Sequence, residues 1–395
     1  MSDSTQDDAR DPLGGIRVLD FTIMMAGPYC TRFLADMGAD VIKIEAPDGD
    51  YLRTREPKRE GQSAYFGHLN SGKRSLCLDL KKPESLEVVR KLAATSDVLV
   101  ENFRPGAMKR LGLDYETLKA INPHLVYCSI SGFGQTGPDA QRPAYAQIVQ
   151  AASGYEAAFA RYQDSGDKPA NTAIFHADVL GALFAYSGIL AALHHRNVTG
   201  AGQHVDVTLM ESMLMLMPYE VQEAQFPAPE RRPVYPPFKT SDGYVMIAAV
   251  SPKNFEALLD GIGFDGWRND PILRNDAVRQ ENWNAVMAQI EAWTSGRSAQ
   301  ECERVIGAAG VPITCYRTVR DALAEEQLKY RQSLARVRDA AGDYLVPNLP
   351  FRMSGARVQV REHVPALGEH GEQVLRELAG LDPDEIRAVL GERTG

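Results

Sequence analysis

Short apolar runs alternate with helical segments through the first 131 residues, and this alternation constrains the fold more than any other feature of the chain. Four runs predict strands, at residues 16–21, 40–45, 97–101 and 124–131. One helix is predicted from about Pro28 to about Met37, where Gly38 ends it, and a second helix is predicted over residues 82–94. Strands that alternate with helices form a parallel sheet that is covered on both faces. The sequence therefore predicts an α/β fold.

The pattern changes at about residue 226, which predicts a second, smaller α+β domain. A linker begins there, marked by Pro227, Pro229, Pro233, Pro236 and Pro237. Residues 243–249 predict a strand, and a helical stretch with all three tryptophans follows. From residue 333 onward, strands and a last amphipathic helix at 371–378 are expected to return to the first domain. The predicted organisation is a disordered tail at 1–12, a large domain at 13–225 and 333–395, and a small domain at 226–332.

Charge and cysteine content restrict the class of protein. The net charge of -9 and the pI of about 5.5 argue against a nucleic-acid-binding protein, which needs a basic face. Five scattered cysteines without a CxxC motif predict free, mostly buried thiols in a reducing compartment. The polar, acid-rich first twelve residues are unlike a signal peptide. A soluble, cytoplasmic protein is expected.

A long apolar helix is predicted directly after Asp178. Residues 179–193 are apolar at helical spacing, and cations at His194, His195 and Arg196 suit the carbonyl end of the helix. The segment is predicted to be buried and too short to span a membrane. Gly200 and Gly202 then predict a turn, and residues 203–209 predict a strand.

The carboxylate of Asp178 lies where that helix begins. Free N–H groups and the positive end of the helix dipole favour the charged form, so Asp178 is expected to stay ionised. Such a carboxylate is either a helix cap or a nucleophile, and its position alone leaves both open. His176, two residues earlier, could be a base, although a hydrogen-bonded loop histidine is the simpler interpretation.

Two loops follow predicted strands of the sheet. Residues 132–137 match GxGxxG, but Pro138 follows at once, so a glycine loop over a ligand is favoured over a dinucleotide site. In the loop at 101–106, Asn102 could bond a ligand amide and Phe103 could stack on a ring, with Arg110 nearby for a phosphate. A simple strand-end turn is the alternative.

Pairs of basic residues and one pair of histidines are the remaining candidate binding sites in the sequence. Three basic pairs could form a phosphate pocket or be ordinary surface charge: Lys73-Arg74, Lys81-Lys82 and Lys109-Arg110. The pair His194-His195 lacks an acidic partner at metal-ligand spacing, so no metal site is predicted.

Taken together, these segments resemble the class III coenzyme A transferases, the family of formyl-CoA:oxalate and carnitine CoA-transferases. The resemblance extends from Leu13 to about Leu390. Its motifs are PLGGIRVLDF, AGPYCTRFLADMGADVIKIEAP, NSGKRSLCLDLK, VENFRPGAMKRLGL, SISGFGQTGP, RPAYAQIVQAASG, ADVLGALFAYSGILAALHHRNVTGAGQHVDV, GVPITCYRTV and LGEHGEQVL.

The resemblance implies a Rossmann-like large domain, a small domain and an interlocked homodimer. CoA would be a substrate, passed from an acyl-CoA donor to a small carboxylic acid, with no permanently bound cofactor. It implies that Asp178 is the nucleophile and that Tyr145 lies beside the thioester. The implied CoA-contacting residues are Leu78, Leu80, Lys81, Asn102, Phe103, Arg104 and Arg110.

The sequence departs from the formyl enzyme at several positions. Met25 replaces an active-site glutamine, Ala46 a basic residue and Ala146 an acidic one, and no glycine-rich lid is visible between Phe226 and Asp242. Met25 predicts a less polar acyl pocket, suited to succinyl-type or branched C4–C5 acyl groups. Dicarboxylic acceptors are expected, held at the far carboxylate by an arginine or a helix N-terminus of the small domain.

Two other functions are kept open. An alpha-methylacyl-CoA racemase shares the family's fold, but Tyr145 occupies the position of the racemase histidine, and its pKa of about 10 suits a base poorly. A non-catalytic CoA-binding protein would keep the fold without needing Asp178.

Overall fold

The computed structural model describes residues 11–163, 168–228 and 233–391. Most of the predicted tail, residues 1–10, lies outside this range. Asp11, however, pairs with Arg357 at 2.9 Å and with Arg361 at 3.3 Å between side-chain atoms. These two ion pairs connect the end of the predicted tail segment to the segment that carries Arg357 and Arg361.

The described residues form strands and helices that are numbered here along the chain. The strands are β1 Arg17–Asp20, β2 Asp40–Glu45, β3 Lys58–Arg59, β4 Gln62–Ser63, β5 Arg74–Cys77, β6 Val98–Glu101, β7 Val126–Ser131, β8 His204–Thr208, β9 Phe238–Lys239, β10 Tyr244–Ile247, β11 Ile313–Cys315, β12 Leu334–Asp339 and β13 Gly342–Pro347. The α-helices are α1 Ala26–Asp36, α2 Ala64–Asn70, α3 Pro83–Ala94, α4 Ala107–Arg110, α5 Tyr115–Ile121, α6 Ala146–Ala152, α7 Tyr155–Tyr162, α8 His176–Thr199, α9 Leu209–Met215, α10 Pro218–Glu223, α11 Pro252–Gly261, α12 Pro271–Arg274, α13 Asp276–Glu281, α14 Trp283–Thr294, α15 Ala299–Ala308, α16 Val319–Leu323, α17 Glu326–Tyr330, α18 Gly371–Ala379 and α19 Pro383–Leu390. Tyr51–Thr54 and Asp265–Asn269 are 3-10 helices.

A six-stranded parallel sheet organises the larger part of the chain. Its strand order is β5-β2-β1-β6-β7-β8, and every neighbouring pair is parallel. Counted along this sheet alone, the order is 3-2-1-4-5-6, which is that of doubly wound α/β folds. The α/β prediction is confirmed, and five of the six strands, all except β5, fall within the runs predicted from the sequence.

Each face of this sheet is covered by helices. On one face, α1 and α8 pack against buried side chains such as Val41, Val100 and Cys128. On the other, α3, α5, α18 and α19 cover Leu19, Ile42 and Leu99. The helix predicted at 371–378 is not the last one, since α19 follows it with its own capping box at Asp382 and Glu385. All five cysteines are unpaired thiols, and Cys30, Cys128 and Cys302 are buried.

The chain divides into two compact units. The larger comprises residues 1–225 and 329–395, and the smaller residues 226–328. The smaller unit has a three-stranded antiparallel sheet, β11-β10-β9, with a core around Phe255, Trp267 and Ile290. Of the predicted proline-rich linker, residues 229–232 lie outside the described residues.

Helix α8 has two different faces. Ala182, Ala185 and Ile189 are buried against the sheet, whereas Leu183 and Val198 on the opposite face are 42% and 75% exposed. The prediction of a buried helix is thus wrong for one side of α8. By length and composition alone α8 could cross a membrane, which differs from the prediction that it is too short, but its inner face is part of the core.

Candidate active site

A pocket of about 520 Å³ lies at the carboxyl ends of the central strands. Ile23 follows β1, Asn102 follows β6, and Gly132 follows β7, and all three line it. From β1 the chain continues to β2 and β5, which lie toward one edge of the sheet. It then returns to β6, on the other side of β1, and continues through β7 to β8 at the opposite edge. Ligands of open α/β sheets bind in the crevice at such a switch point.

In the described part of the chain, four helices begin at this pocket. Ala26 and Leu209 are the first residues of α1 and α9, Tyr145 directly precedes α6, and Phe175 directly precedes α8. The first N–H groups of a helix have no partner within the helix, and the helix dipole adds positive potential there. The pocket is therefore suited to stabilise negative charge that develops during a reaction.

Asp178 lies in this pocket as the third residue of α8. No side chain caps α8, so the helix-cap interpretation of Asp178 is not supported. The carboxylate makes no hydrogen bond or ion pair with any residue that the structure describes. Burial raises its pKa from 3.8 to about 7. The expectation that Asp178 stays fully ionised is wrong near and below neutral pH, because the loss of water outweighs its position at the helix start.

Tyr65 of α2 is a neighbour of Asp178 that the sequence does not reveal. Its hydroxyl donates to the sulfur of Met25 at 3.3 Å. Burial raises its pKa, and the negative charge of Asp178 raises it further, so the phenol stays neutral and keeps its proton. A neutral hydroxyl close to the carboxylate is a possible hydrogen-bond donor to a reacting oxygen. No motif or spacing marks this tyrosine.

Two more of the predicted site residues lie in the pocket. Tyr145 is 71% exposed at its edge. Asn102 uses its amide on the main chain of Ile23, accepting from the N–H at 2.9 Å and donating to the carbonyl at 2.8 Å. The structure thus gives Asn102 a role in fixing the loop after β1, in addition to its place in the pocket wall.

The remaining predicted residues lie outside the lining of this pocket. The side chain of Leu78 is buried in the core, and Leu80 and Phe103 pack partly buried against the same cluster. Lys81, Arg104 and Arg110 are exposed cations. Leu78 can therefore offer a ligand only its main chain, whereas the three cations are accessible.

The loop between β1 and α1 is held by a buried ion network. Asp20 accepts the N–H of Thr22 at 2.9 Å, and Lys43 donates to the Thr22 carbonyl at 2.7 Å. Lys73 donates to Asp20 at 2.9 Å. Burial opposes ionisation of Asp20, but Lys73 and Lys43 outweigh it and hold its pKa below the usual value. Within this fixed loop, Met24 adopts a positive φ of 64° beside the pocket.

The basic pair Lys73-Arg74 fits neither of the two interpretations that the sequence left open for it. Lys73 is fully buried and paired with Asp20, while Arg74 pairs with Asp40. Since neither cation is free, the pair Lys73-Arg74 does not form part of a phosphate pocket. Lys81, Lys82, Lys109 and Arg110 remain exposed.

The histidines differ from the simplest interpretation. His176 is the first residue of α8 rather than a hydrogen-bonded loop residue, and its buried Nδ1 has no hydrogen-bond partner within the described ranges. One group among the described residues has metal-ligand spacing, namely His363, Glu369 and His370, with ligand atoms within 4.8 Å. Both of its histidines have protein partners, since His363 Nε2 pairs with Glu369 at 2.8 Å and His370 Nδ1 accepts from the main-chain N–H of Ser75 at 3.3 Å.

The loop at 132–137 is a glycine loop and not a dinucleotide-binding turn. Helix α6 begins only at Ala146, nine residues after Gly137. Gly134 and Gly137 have φ of 96° and 97°, which disfavours other residues. A Cβ at Gly132 would lie 2.4 Å from the Cβ of Ala144, so the loop packs closely against the segment that precedes Tyr145.

Comparisons with known proteins identify the family and agree with the fold. A model of CoA-transferase family III matches residues 13–371, and the chain belongs to this family. It is 36% identical to the acetyl-CoA:oxalate CoA-transferase of Acetobacter aceti, over 96% of this chain and 99% of that protein. It is 33% identical to the succinyl-CoA–D-citramalate CoA-transferase of Chloroflexus aurantiacus, over 97% and 98%. The crystal structure of a CAIB/BAIF family protein from Brucella suis superposes with a TM-score of 0.82 at 34% identity, over 93% of this chain and 100% of that one.

Proposed function

We propose that the protein moves CoA from an acyl-CoA to a free carboxylic acid, with Asp178 as the covalent nucleophile. The observation that carries the proposal is the state of this carboxylate. It is partly buried, unpaired among the described residues, and placed in a pocket where four helices begin. Relatives across nearly the whole chain are named CoA-transferases, which supports the same reaction.

The reaction consists of two half-reactions at the Asp178 carboxyl group, one that releases the first acid and one that releases the new acyl-CoA. The carboxylate attacks the donor thioester carbonyl, giving a mixed anhydride and CoA thiolate. The thiolate then attacks the aspartyl carbonyl, releasing the first acid and leaving an aspartyl-CoA thioester. The second acid attacks that thioester to give a new anhydride and thiolate. The thiolate finally attacks the new acyl carbonyl, so that the new acyl-CoA leaves and Asp178 is regenerated.

Each exchange passes through an oxyanion that the pocket can stabilise. The helix N-termini supply positive potential, and Tyr65 supplies a neutral hydroxyl. Burial also keeps Asp178 more basic than an exposed aspartate, with a pKa of about 7. A more basic carboxylate is the better nucleophile, provided that the pH leaves it ionised.

Trapping of the aspartyl intermediates tests this proposal. Wild-type protein is incubated with acetyl-CoA and then hydroxylamine, which converts an acylated aspartate to a hydroxamate. We expect the modification at Asp178 by peptide mass spectrometry, and no turnover in Asp178→Asn. Asp48→Asn, at an exposed position outside the pocket, is the control and should keep full activity. A hydroxamate on another residue, or an active Asp178→Asn, contradicts the proposal.

CoA is proposed to lie along the carboxyl edge of the sheet. Residues 78–81 follow β5 and residues 102–104 follow β6, so both segments reach this edge. Exposed Lys81, Arg104 and Arg110 suit the phosphates of CoA, whereas the buried side chain of Leu78 leaves only its main chain for contact. Tyr145 at the edge of the pocket is placed to meet the thioester end.

The proposed assembly is an interlocked homodimer with a CoA-binding large domain and a separate small domain. The exposed face of α8 supports a dimer, since Leu183 and Phe184 are 42% and 38% exposed in the single chain. Exposed Ile148, Phe159, Leu214 and Met215 lie on the other helices of the same unit. Static light scattering should give twice the mass of one chain at micromolar concentration. A monomer would refute the assembly. Location in the cytoplasm remains a proposal that follows from the family.

Epimerisation is the competing reaction, and deuterium exchange distinguishes it. A racemase needs a proton-accepting base at the position of Tyr145, and no histidine lines the described part of the pocket. A chiral 2-methylacyl-CoA in deuterated water should therefore show no alpha exchange. New thioester should form only after free succinate is added. Alpha deuteration without an acceptor would instead identify a racemase.

A further inference from the structure

We propose that Arg55 binds the distal carboxylate of a dicarboxylic acid in the pocket of Asp178 and thereby selects dicarboxylic over monocarboxylic substrates. This inference rests on the proposed transfer reaction, because it assigns the far end of the acid whose other carboxylate reacts. The distal carboxylate would then be bound by the larger unit, whereas the sequence suggested that an arginine or a helix N-terminus of the small domain binds it.

The first observation is the charge of the pocket lining. Arg55 is the sole cation among the described residues that line the pocket. Its guanidinium lies 3.7 Å from the centre of the Tyr51 ring and forms no ion pair with a described carboxylate. The neighbouring Glu56 accepts the main-chain N–H of Lys58 at 2.7 Å. A planar guanidinium presents paired donors that match a carboxylate, so Arg55 is available for one.

The second observation is that the segment before Arg55 is anchored. Asp50 caps the 3-10 helix by accepting the N–H of Leu52 at 2.9 Å, and it pairs with fully buried Lys43 at 3.0 Å. Arg53 pairs with Glu45 at 2.7 Å. These two ion pairs fix the backbone on one side of Arg55, and the Tyr51 ring supports its guanidinium. A cation held in place loses less entropy on binding than a free surface arginine does.

A phosphate of CoA is a poor alternative ligand for Arg55. The thioester must reach Asp178 for the reaction to occur, and the pantetheine arm holds the phosphates far from the sulfur. Arg55 and Asp178 line the same pocket of about 520 Å³, which suits the two ends of one small acid. Met25, Phe175 and Leu209 also line this pocket, and such apolar side chains fit the methylene groups between two carboxylates.

A competition assay measures the selectivity directly. Acetyl-CoA is the donor, and succinate and butyrate are present together at equal concentration. The ratio of succinyl-CoA to butyryl-CoA formed then gives the ratio of the two kcat/KM values. Because a hydrogen-bonded charged pair contributes about 1.5–3 kcal/mol, Arg55→Gln should lower this ratio by roughly 10- to 150-fold. The rate with butyrate should change little, and Arg55→Lys should restore part of the preference.

Arg352→Gln is the matched control, since Arg352 is an exposed arginine outside the pocket. The inference is overturned if Arg55→Gln keeps the wild-type ratio, or if the rates with succinate and butyrate fall together. It is also overturned if the wild type shows no preference for succinate. The Asp178→Asn variant tests the transfer mechanism separately. If this variant is active, Asp178 is not the nucleophile, but the ratio of succinyl-CoA to butyryl-CoA can still be measured.

Discussion

Replacing Asp178 by asparagine should make the protein more stable above neutral pH. Burial raises the pKa of Asp178 from 3.8 to about 7, so the folded state binds this proton more tightly than the unfolded state. Stability therefore falls as pH rises from about 4 to 7, and the full cost is present at pH 8. One pH unit corresponds to about 1.4 kcal/mol, which sets an upper limit of about 4 kcal/mol for the wild type. Since Asp178 is partly exposed, we expect a gain of about 2–4 kcal/mol in Asp178→Asn.

Thermal unfolding of the ligand-free protein at two pH values measures this effect. For a chain of 395 residues, 2–4 kcal/mol corresponds to a rise in Tm of roughly 2–5 °C at pH 8. The difference should shrink toward zero as the pH is lowered to about 4.5, where wild-type Asp178 is protonated. Asp48→Asn, at an exposed site, should show no such pH-dependent gain. An Asp178→Asn variant that is no more stable at pH 8, or whose gain is the same at both pH values, would refute the reasoning.

Three further predictions concern activity, the core and CoA binding. Because attack requires ionised Asp178, kcat/KM should rise with pH through a midpoint near 7, and a flat profile from pH 5.5 to 8.5 would exclude this carboxylate as the titrating nucleophile. Lys73→Met leaves Asp20 without its closest cation in the core, so urea unfolding should show a loss of about 3–5 kcal/mol, and a loss below about 1 kcal/mol would show that Lys43 alone suffices. Arg110→Ala should weaken CoA binding by about 1.5–3 kcal/mol if it holds a phosphate, and unchanged affinity by calorimetry would remove Arg110 from the CoA site.

The sequence predicted the parts of this structure that depend on local pattern. Apolar runs located β1, β2, β6, β7 and β8 and hence most of the parallel sheet. The position of Asp178 at the start of a long apolar helix was also visible, as was the failure of the loop at 132–137 to open a helix. Each of these depends on residues that are close together in the chain.

Other features depend on contacts between distant segments and could not be predicted. The pKa of Asp178 depends on how much water the folded pocket excludes, and no sequence motif reports that. Lys73 resembled a surface cation because its partner, Asp20, is 53 residues away. Arg55 and Tyr65 enter the pocket because the segments that carry them pack near the end of β1. One face of α8 looked like core because apolar composition alone does not show which side of a helix the rest of the chain covers.

In the loop after β1, the groups that fix the backbone are different from the side chains that line the pocket. Its backbone is fixed from outside, by Asp20 and Lys43 at Thr22 and by the Asn102 amide at Ile23. The side chains of Ile23 and Met25 face the pocket without contributing to that scaffold. Mutations at these positions can therefore change which acid fits while the active-site frame is inherited intact. Substrate preference can therefore change at Ile23 or Met25 by a single substitution that leaves the hydrogen bonds of the loop in place.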